Sequence, residues 1–319
     1  LFELSTGELL LVGLLSFDLR SAGILLLLAS SAGPSMMSDI PGLSRPLLAA
    51  GLVALLVVIL VLSWGASAAA AIVNYYGFRL TRVGDDLRYE RGLFRRYDGT
   101  IPLEKVQTLT VEDNPLKRRF DYATLKVETA GYAPGSGGGG GQSATAVPLA
   151  ETDRLLALAD NVEPFGDPDL TRPPKRIRRR YAVRYGLALL GLTGLLFAVD
   201  AAVRSVPWFV PLFAIPLAAL LGHYVWRHRG YWLGDDHVVT RNGFFRRETK
   251  VVGYDRIQTV IDSRTVFQRR WNVATITVDT AGSLSIAGQD AAAVDVDDAV
   301  ADDLREELLD RLRLALAAD

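Results

Sequence analysis

Residues 92–131 are GLFRRYDGTIPLEKVQTLTVEDNPLKRRFDYATLKVETAG, and residues 243–282 are GFFRRETKVVGYDRIQTVIDSRTVFQRRWNVATITVDTAG. A shift of 151 residues aligns the two stretches without a gap, and fourteen of the forty positions are identical. Each stretch follows long apolar segments. The alignment therefore predicts one unit used twice, made of membrane spans followed by a soluble domain.

Inside each copy, apolar residues alternate with polar ones in the manner of β-strands. VQTLTVED and ATLKVETA in the first copy, and IQTVIDSR and ATITVDTA in the second, predict half-buried antiparallel strands. LRYERGLFRRY and HVVTRNGFFRR predict hairpins that turn at residues 90–92 and 241–243, where Asn-Gly is a strong turn signal. A terminal helix is predicted from a stripe that recurs every four residues, at Val300, Leu304, Leu308, Leu312 and Leu316.

Several short strands followed by one helix outline a pleckstrin-homology-like (PH-like) fold. The two quoted stretches, each after its own apolar spans, resemble the bacterial PH-like, membrane-flanked domain family of the YdbS/YdbT type. The resemblance implies membrane α-helical spans plus two α+β PH-like domains, each an antiparallel β-sandwich or barrel capped by a C-terminal helix. We expect these domains at residues 74–165 and 230–319. The resemblance implies no established reaction.

Long apolar segments predict the membrane spans. Residues 47–73 begin with sixteen residues that carry no polar side chain, and about twenty apolar residues cross the hydrocarbon core. Residues 185–226 predict a helical hairpin. An earlier span is expected at residues 21–40, within a helical region at 21–73. Residues 1–20 are expected to be either the tail of a preceding unit or a segment at the membrane interface.

Basic residues predict the orientation. The linker at residues 166–184 contains RPPKRIRRR directly before the helical hairpin, and positive charge beside spans marks the cytoplasmic side. The sequence therefore predicts a multi-pass protein of the cell membrane with both soluble domains in the cytoplasm. The same run could also bind anionic lipid as a juxtamembrane segment, and the two interpretations are compatible.

Composition excludes several classes of site. The chain has no cysteine and only three histidines, which excludes disulfides, thiolate metal sites and cysteine nucleophiles. With a net charge of −1 we expect no nucleic-acid partner, and we expect no enzyme activity, catalytic residue, metal or cofactor. The glycine-rich residues 131–141 predict a hairpin loop rather than a phosphate-binding loop. A solvated acidic cap, rather than a calcium site, is predicted from Asp295, Asp297, Asp298, Asp302 and Asp303.

The candidate binding residues are basic residues near the first hairpin and the following turn of each copy. In the PH fold such residues commonly hold anionic lipid headgroups, and each could contribute about 1 kcal/mol near an anionic surface. Alternatively they are solvated turn residues, or Arg118 and Arg270 pair with carboxylates. The set consists of Arg95, Arg96, Lys117, Arg118, Arg119, Arg246, Arg247, Arg269 and Arg270.

Two functions remain open at this point. The first is a non-enzymatic scaffold close to the membrane, whose candidate partners are the bilayer, anionic lipid headgroups, and a membrane protein or a second copy of the chain. The second is a component of a transport, export or toxic-peptide resistance system, with the helices as the working part. Its titratable candidates are Asp200, Arg204 and His223 in or beside the later spans.

Overall fold

The computed structural model describes residues 1–15, 45–130, 143–203, 208–281 and 290–318. The predicted span at residues 21–40, the glycine-rich loop at 131–141 and Arg204 lie outside the described residues.

The first copy consists of short strands, short helices and one long helix. Its elements are β1 (Phe2–Glu3), α1 (Thr6–Leu15), α2 (Arg45–Tyr75), β2 (Arg79–Val83), β3 (Asp86–Arg91), β4 (Tyr97–Pro102), β5 (Val106–Asp113), α3 (Pro115–Arg119), β6 (Tyr122–Thr129), β7 (Ser143–Glu151) and α4 (Thr152–Asp160). A short 3₁₀ turn joins β4 to β5.

The second copy repeats this order after a pair of helices. Its elements are α5 (Ile177–Val203), α6 (Ile215–Arg227), β8 (Gly230–Leu233), β9 (His237–Asn242), β10 (Arg247–Gly253), β11 (Ile257–Ser263), α7 (Val266–Arg270), β12 (Val273–Thr280), β13 (Ala291–Asp297) and α8 (Asp298–Ala318). Among the described residues the strands form three antiparallel sheets, ordered β1-β2-β3-β4, β7-β6-β5-β10-β9-β8 and β11-β12-β13.

The six-stranded sheet joins the two copies. Strand β5 of the first copy pairs with β10 of the second, from Asp113 opposite Arg247 to Leu109 opposite Val251. We call this pairing the seam. An edge strand exposes unpaired backbone N–H and C=O groups, so pairing with another edge satisfies both strands. The apolar core of the first copy continues across the seam, because it includes Val239 and Val251.

The N-terminal segment belongs to the first domain. Phe2, Leu9 and Leu15 are buried in the core of that domain, whereas Leu10 and Leu14 are exposed. Helix α1 packs closely on α2, since a Cβ at Gly13 would lie 3.0 Å from the carbonyl oxygen of Ala68.

Within the described ranges, three helices are long and apolar enough to cross a membrane, as judged by length and composition. They cover Val57–Tyr75, Ile177–Ala201 and Val210–Arg227. Helix α5 begins at Ile177, before the predicted boundary at residue 185, so the end of the predicted basic linker is helical. The physical reason is tertiary, because Ile177 and Tyr181 are buried against the second domain.

Helix α8 covers the three-stranded sheet with the middle of its apolar stripe. Leu304 and Leu308 are buried, and Leu312 packs beside them. Val300 and Leu316, which the stripe predicted to face the core, are 43% and 60% exposed. The sheet covers only the central turns of this 21-residue helix, so the periodicity of the stripe extends beyond the surface that it packs against.

Candidate functional site

Each copy presents a hairpin tip that opens with glycine. Gly92 and Gly243 have positive φ angles of 113° and 89°. A Cβ would lie 2.0 Å from the carbonyl oxygen of Arg95 at the first position, and 1.9 Å from that of Arg246 at the second. Only glycine fits at these two positions. A Cβ would clash with the carbonyl oxygen, and a positive φ angle is unfavourable for residues with a side chain. The strands run on to Arg91 and Asn242, so the loops lie beyond the turns predicted at 90–92 and 241–243.

The first hairpin tip is attached to the end of α2. The Gly92 amide donates to the carbonyl oxygen of Tyr76 at 2.9 Å, and the Leu93 amide donates to that of Val73 at 3.1 Å. Val73 and its neighbours form the last turns of a candidate span. Phe94, at the tip, is 86% exposed. Because two arginines follow it directly in the chain, the tip combines an exposed ring with two positive charges.

Those two arginines, Arg95 and Arg96, are both exposed. The guanidinium carbon of Arg95 lies 5.3 Å from the centroid of the Tyr97 ring. Such a contact orients the side chain without neutralising its charge. The structure therefore leaves the charge of this pair available to a ligand outside the fold.

The second hairpin tip is attached to α6 in a similar place. The Phe244 ring stacks on Tyr224 at 5.4 Å between centroids and lies 5.3 Å from the His228 ring. Its two arginines, however, contact the first domain. Arg246 Nε donates to Glu112 Oε2 at 2.9 Å, and Arg247 Nε donates to Asp113 Oδ2 at 2.8 Å. The same motif is thus open in one copy and paired across the seam in the other.

The basic residues of the short helices α3 and α7 also differ between the copies, but here the contacts are made by the first copy. Lys117 is buried, and its ammonium donates to Thr124 Oγ1 at 2.7 Å. Arg118 Nη2 donates to the Phe244 carbonyl at 2.7 Å across the seam, and its Nε lies 3.5 Å from Asp113 Oδ1. Arg119, Arg269 and Arg270 are exposed. Among the described residues Arg270 has no carboxylate within 4.0 Å, whereas Arg118 does.

Carboxylates of the first copy neutralise these cations at the seam. Burial raises the pKa of Glu112, but Lys126 at 2.7 Å and Arg246 outweigh burial, and the pKa lies below its usual value. Lys250 of β10 and Glu128 of β6 form a second pair at 2.9 Å, and both side chains are buried. The sequence did not identify these acidic partners, because they come from strands far away in the chain.

The buried ammonium of Lys117 predicts a pH-dependent stability. Burial lowers the pKa of Lys117 from 10.5 to about 8, with Glu112 opposing the shift and Lys126 adding to it. The unfolded chain therefore binds more protons than the fold between pH 8 and 10.5, and stability should rise with pH across that interval. Lys117→Met is expected to be more stable than the parent below pH 8, by on the order of 3 kcal/mol, and to lose this advantage as the pH rises.

The measurement is the thermal midpoint of the detergent-solubilised chain at a series of pH values. Lys105→Met, at an exposed lysine, is the matched control and should show no such trend. A parent and a Lys117→Met variant whose midpoints stay parallel up to pH 10.5 would contradict the prediction.

A buried carboxylate connects the second domain to its helices. Asp295 is 2% exposed, its Oδ2 lies 3.1 Å from Arg229 Nη1, and it also pairs with Arg180 of α5 and accepts from Tyr181. Gln268 Nε2 donates to its Oδ1 at 3.1 Å. The predicted solvated cap is therefore wrong for this residue. Its position in β13 could have indicated burial, because it shares the inward-facing alternation of that strand.

The other predicted cap residues are nearer the surface. Asp297 pairs with Arg176 at 2.9 Å, Asp298 and Asp302 both pair with Arg264, and Asp303 is exposed. Within the described part of the chain, no group of three or more histidine, aspartate or glutamate side chains is arranged to hold a metal ion.

Comparison with known proteins gives two matches. The model of the Bacterial PH domain family matches residues 24–164 and 186–312. The UPF0699 transmembrane protein YdbT of Bacillus subtilis (strain 168) is 23% identical over 241 residues, which are 73% of this chain and 47% of that protein. The chain therefore spans about half the length of this relative. No solved structure matches the chain.

Proposed function

Since this chain belongs to the bacterial PH domain family, we propose that it is a non-enzymatic scaffold whose first hairpin tip contacts anionic lipid. The family match in two regions confirms the resemblance drawn from the duplicated sequence and the PH-like fold class. The chain is a membrane protein with two bacterial PH domains, and the described part of it contains three helices able to span a bilayer. In the proposal it is multi-pass, and both domains lie in the cytoplasm.

The exposed tip at Phe94 carries the proposal. It is hydrogen-bonded to the last turns of α2, so a bilayer crossed by α2 would end close to it. An aromatic ring enters the headgroup region favourably, and arginines beside it can reach lipid phosphates. Arg95 and Arg96 would each add about 1 kcal/mol of attraction to an anionic surface.

A second surface, on helix α7, also combines exposed apolar side chains with arginines. Helix α7 exposes Val266 and Phe267 at 69% and 74%, beside the exposed Arg269 and Arg270. Trp271, which follows α7, packs against the buried cluster that contains Ile177 and Tyr181 of α5. We propose this surface for contact with a membrane protein or a second copy, because it exposes large apolar side chains beside helices α5 and α6.

The orientation rests on the charges beside the helices. Arg178 and Arg179 lie in the first turn of α5, and Arg227 ends α6. Positive charge at these ends favours the cytoplasmic side for both domains. The seam agrees with this arrangement, because two domains that share one sheet have to lie on the same face of the membrane.

The lipid contact is tested with a nitroxide attached at the first tip. The chain has no cysteine, so Phe94→Cys gives a single labelling site, and Val83→Cys at the opposite end of the β2–β3–β4 sheet is the reference. In nanodiscs that contain phosphatidylglycerol, the label at position 94 is expected to be accessible to oxygen and shielded from a water-soluble nickel chelate. The label at position 83 should show the opposite pattern.

Replacing the two arginines of the first tip then measures how much their charge contributes to lipid binding. Arg95→Gln with Arg96→Gln should weaken the preference for phosphatidylglycerol over phosphatidylcholine by about 2 kcal/mol. Arg305→Gln with Arg313→Gln, at exposed positions of α8, is the matched control and should change nothing. A label at position 94 as accessible to the chelate as the one at position 83 would refute the lipid contact.

A further inference from the structure

The seam creates a cleft that neither copy forms alone. Its volume is about 530 Å³, within the range of small-molecule sites. The floor is one face of the six-stranded sheet, with alternate residues of three neighbouring strands pointing into the cleft. They are Val111 and Asp113 of β5, Arg247, Thr249 and Val251 of β10, and Arg241 of β9.

The roof comes from α4 and the chain that follows it. Leu156, Phe165 and Pro168 supply apolar surface, and Asp160 and Asp167 are acidic. Asp160 Oδ1 already accepts two backbone N–H groups, from residues 165 and 166, at 3.0 and 3.2 Å. The cleft therefore has a cationic floor and a partly apolar roof that carries acceptors.

Arg241 is the cation of the floor that has no carboxylate partner. Its Nε donates to Thr249 Oγ1 at 3.0 Å, and among the described residues no carboxylate oxygen lies within 4.0 Å of its guanidinium. The nearby Asp113 already pairs with Arg247 and Arg118. Burial and Arg247 lower the pKa of Arg241 to about 10, with Asp113 opposing the shift. Because arginine is still charged at neutral pH, an anion bound beside Arg241 would supply the partner of opposite charge that no described carboxylate supplies within 4.0 Å.

We propose that the cleft binds a phosphate ester, with Arg241 as its main ligand and Thr249 and Arg247 beside it. The planar guanidinium donates two parallel hydrogen bonds to phosphate, which suits a group with several oxygens between two arginines. The acidic roof favours a molecule that also carries hydroxyl or amino groups. The phosphate could belong to a lipid headgroup or to a free metabolite, since both carry this chemistry.

The test uses the full chain, because the cleft depends on the pairing of β5 with β10. One arm measures binding of glycerol 3-phosphate to the detergent-solubilised chain by calorimetry. The other arm measures phosphatidylglycerol retained from mixed micelles by the purified chain. We expect binding in at least one arm, and the arm that responds identifies the source of the phosphate.

Arg241→Gln is expected to weaken that binding by about tenfold or more, because it removes charged hydrogen bonds. Arg241→Lys, which keeps the charge and loses the planar fork, should lie between Arg241→Gln and the parent, and it serves if Arg241→Gln does not fold. The exposed Arg305→Gln is the control and should bind like the parent. Parent affinity in both Arg241 variants, or no binding of either probe to the parent, would overturn the proposal. The cleft is judged by the difference between the parent and the Arg241 variants, which the hairpin tip does not affect, because the tip is tested at Phe94, Arg95 and Arg96.

Discussion

Asp295→Asn is expected to destabilise the second domain by about 3–5 kcal/mol. The substitution keeps the shape of the side chain and removes the charge that neutralises Arg180 and Arg229, which are themselves largely buried. An unpaired charge in such a place loses its hydration and gains nothing in return. Asparagine also tolerates the positive φ of 60° at this position, so the loss should reflect charge rather than backbone strain.

The loss should be visible in two measurements on the full chain in detergent. The thermal midpoint followed by tryptophan fluorescence should fall, and proteolysis should release the second domain from its helices sooner. Asp310→Asn is the matched control, because Asp310 pairs with Arg313 on the exposed face of α8 and is expected to contribute less than about 1 kcal/mol. Equal midpoints for the two variants would show that the Asp295 cluster does not hold the domain to the helices.

Lys250→Met is expected to have a comparable effect at the seam, about 3–5 kcal/mol, because it leaves Glu128 buried without its ammonium partner. Adding Glu128→Leu should recover most of this loss, since an apolar pair of similar volume can replace a buried ion pair at little cost. The coupling free energy of the two positions, from a double-mutant cycle on thermal midpoints, measures the pair directly.

The matched control is the exposed pair of Arg79 and Glu3, which joins β2 to β1 at 2.8 Å. Arg79→Met should lower stability by less than about 1 kcal/mol, because a solvated pair contributes little. A double variant at positions 250 and 128 that stays as unstable as Lys250→Met would contradict the assignment of the loss to an unpaired buried charge.

Together, these contacts hold the two PH domains in a fixed arrangement, which has a consequence for the proposed function. A second domain held to α5 and α6 through Asp295, and to the first domain through the seam, cannot turn independently. The arginines of its hairpin tip stabilise this arrangement, which leaves the first tip as the open copy of the motif. In the proposed scaffold, lipid contact at one tip would therefore position both domains.

Much of the architecture could be predicted from local pattern. Apolar runs of about twenty residues predict spans because the hydrocarbon core admits no unpaired polar backbone. Alternation with period two predicted β5, β6, β11 and β12 as strands. Buried and half-buried residues do alternate along most of β12, but β5 is buried on both faces, so the prediction that it is half-buried is wrong. The repeat itself was visible because both copies keep the same residues at the tips and turns.

Which basic residues pair with carboxylates could not be predicted from local pattern. Arg95 and Arg246 occupy equivalent positions of the repeat and are both exposed, yet among the described residues only Arg246 has carboxylates within 4.0 Å, including that of Glu112. The sequence by itself determined the duplicated β-rich unit, its apolar helices and the glycine at each tip, because those depend on neighbours in the chain. Only the tertiary structure decided that β5 pairs with β10, that Asp295 pairs with Arg180 and Arg229, and that Arg241 faces a cleft. The physical reason is that strand edges and charges find partners by proximity in space, and those partners come from more than a hundred residues away.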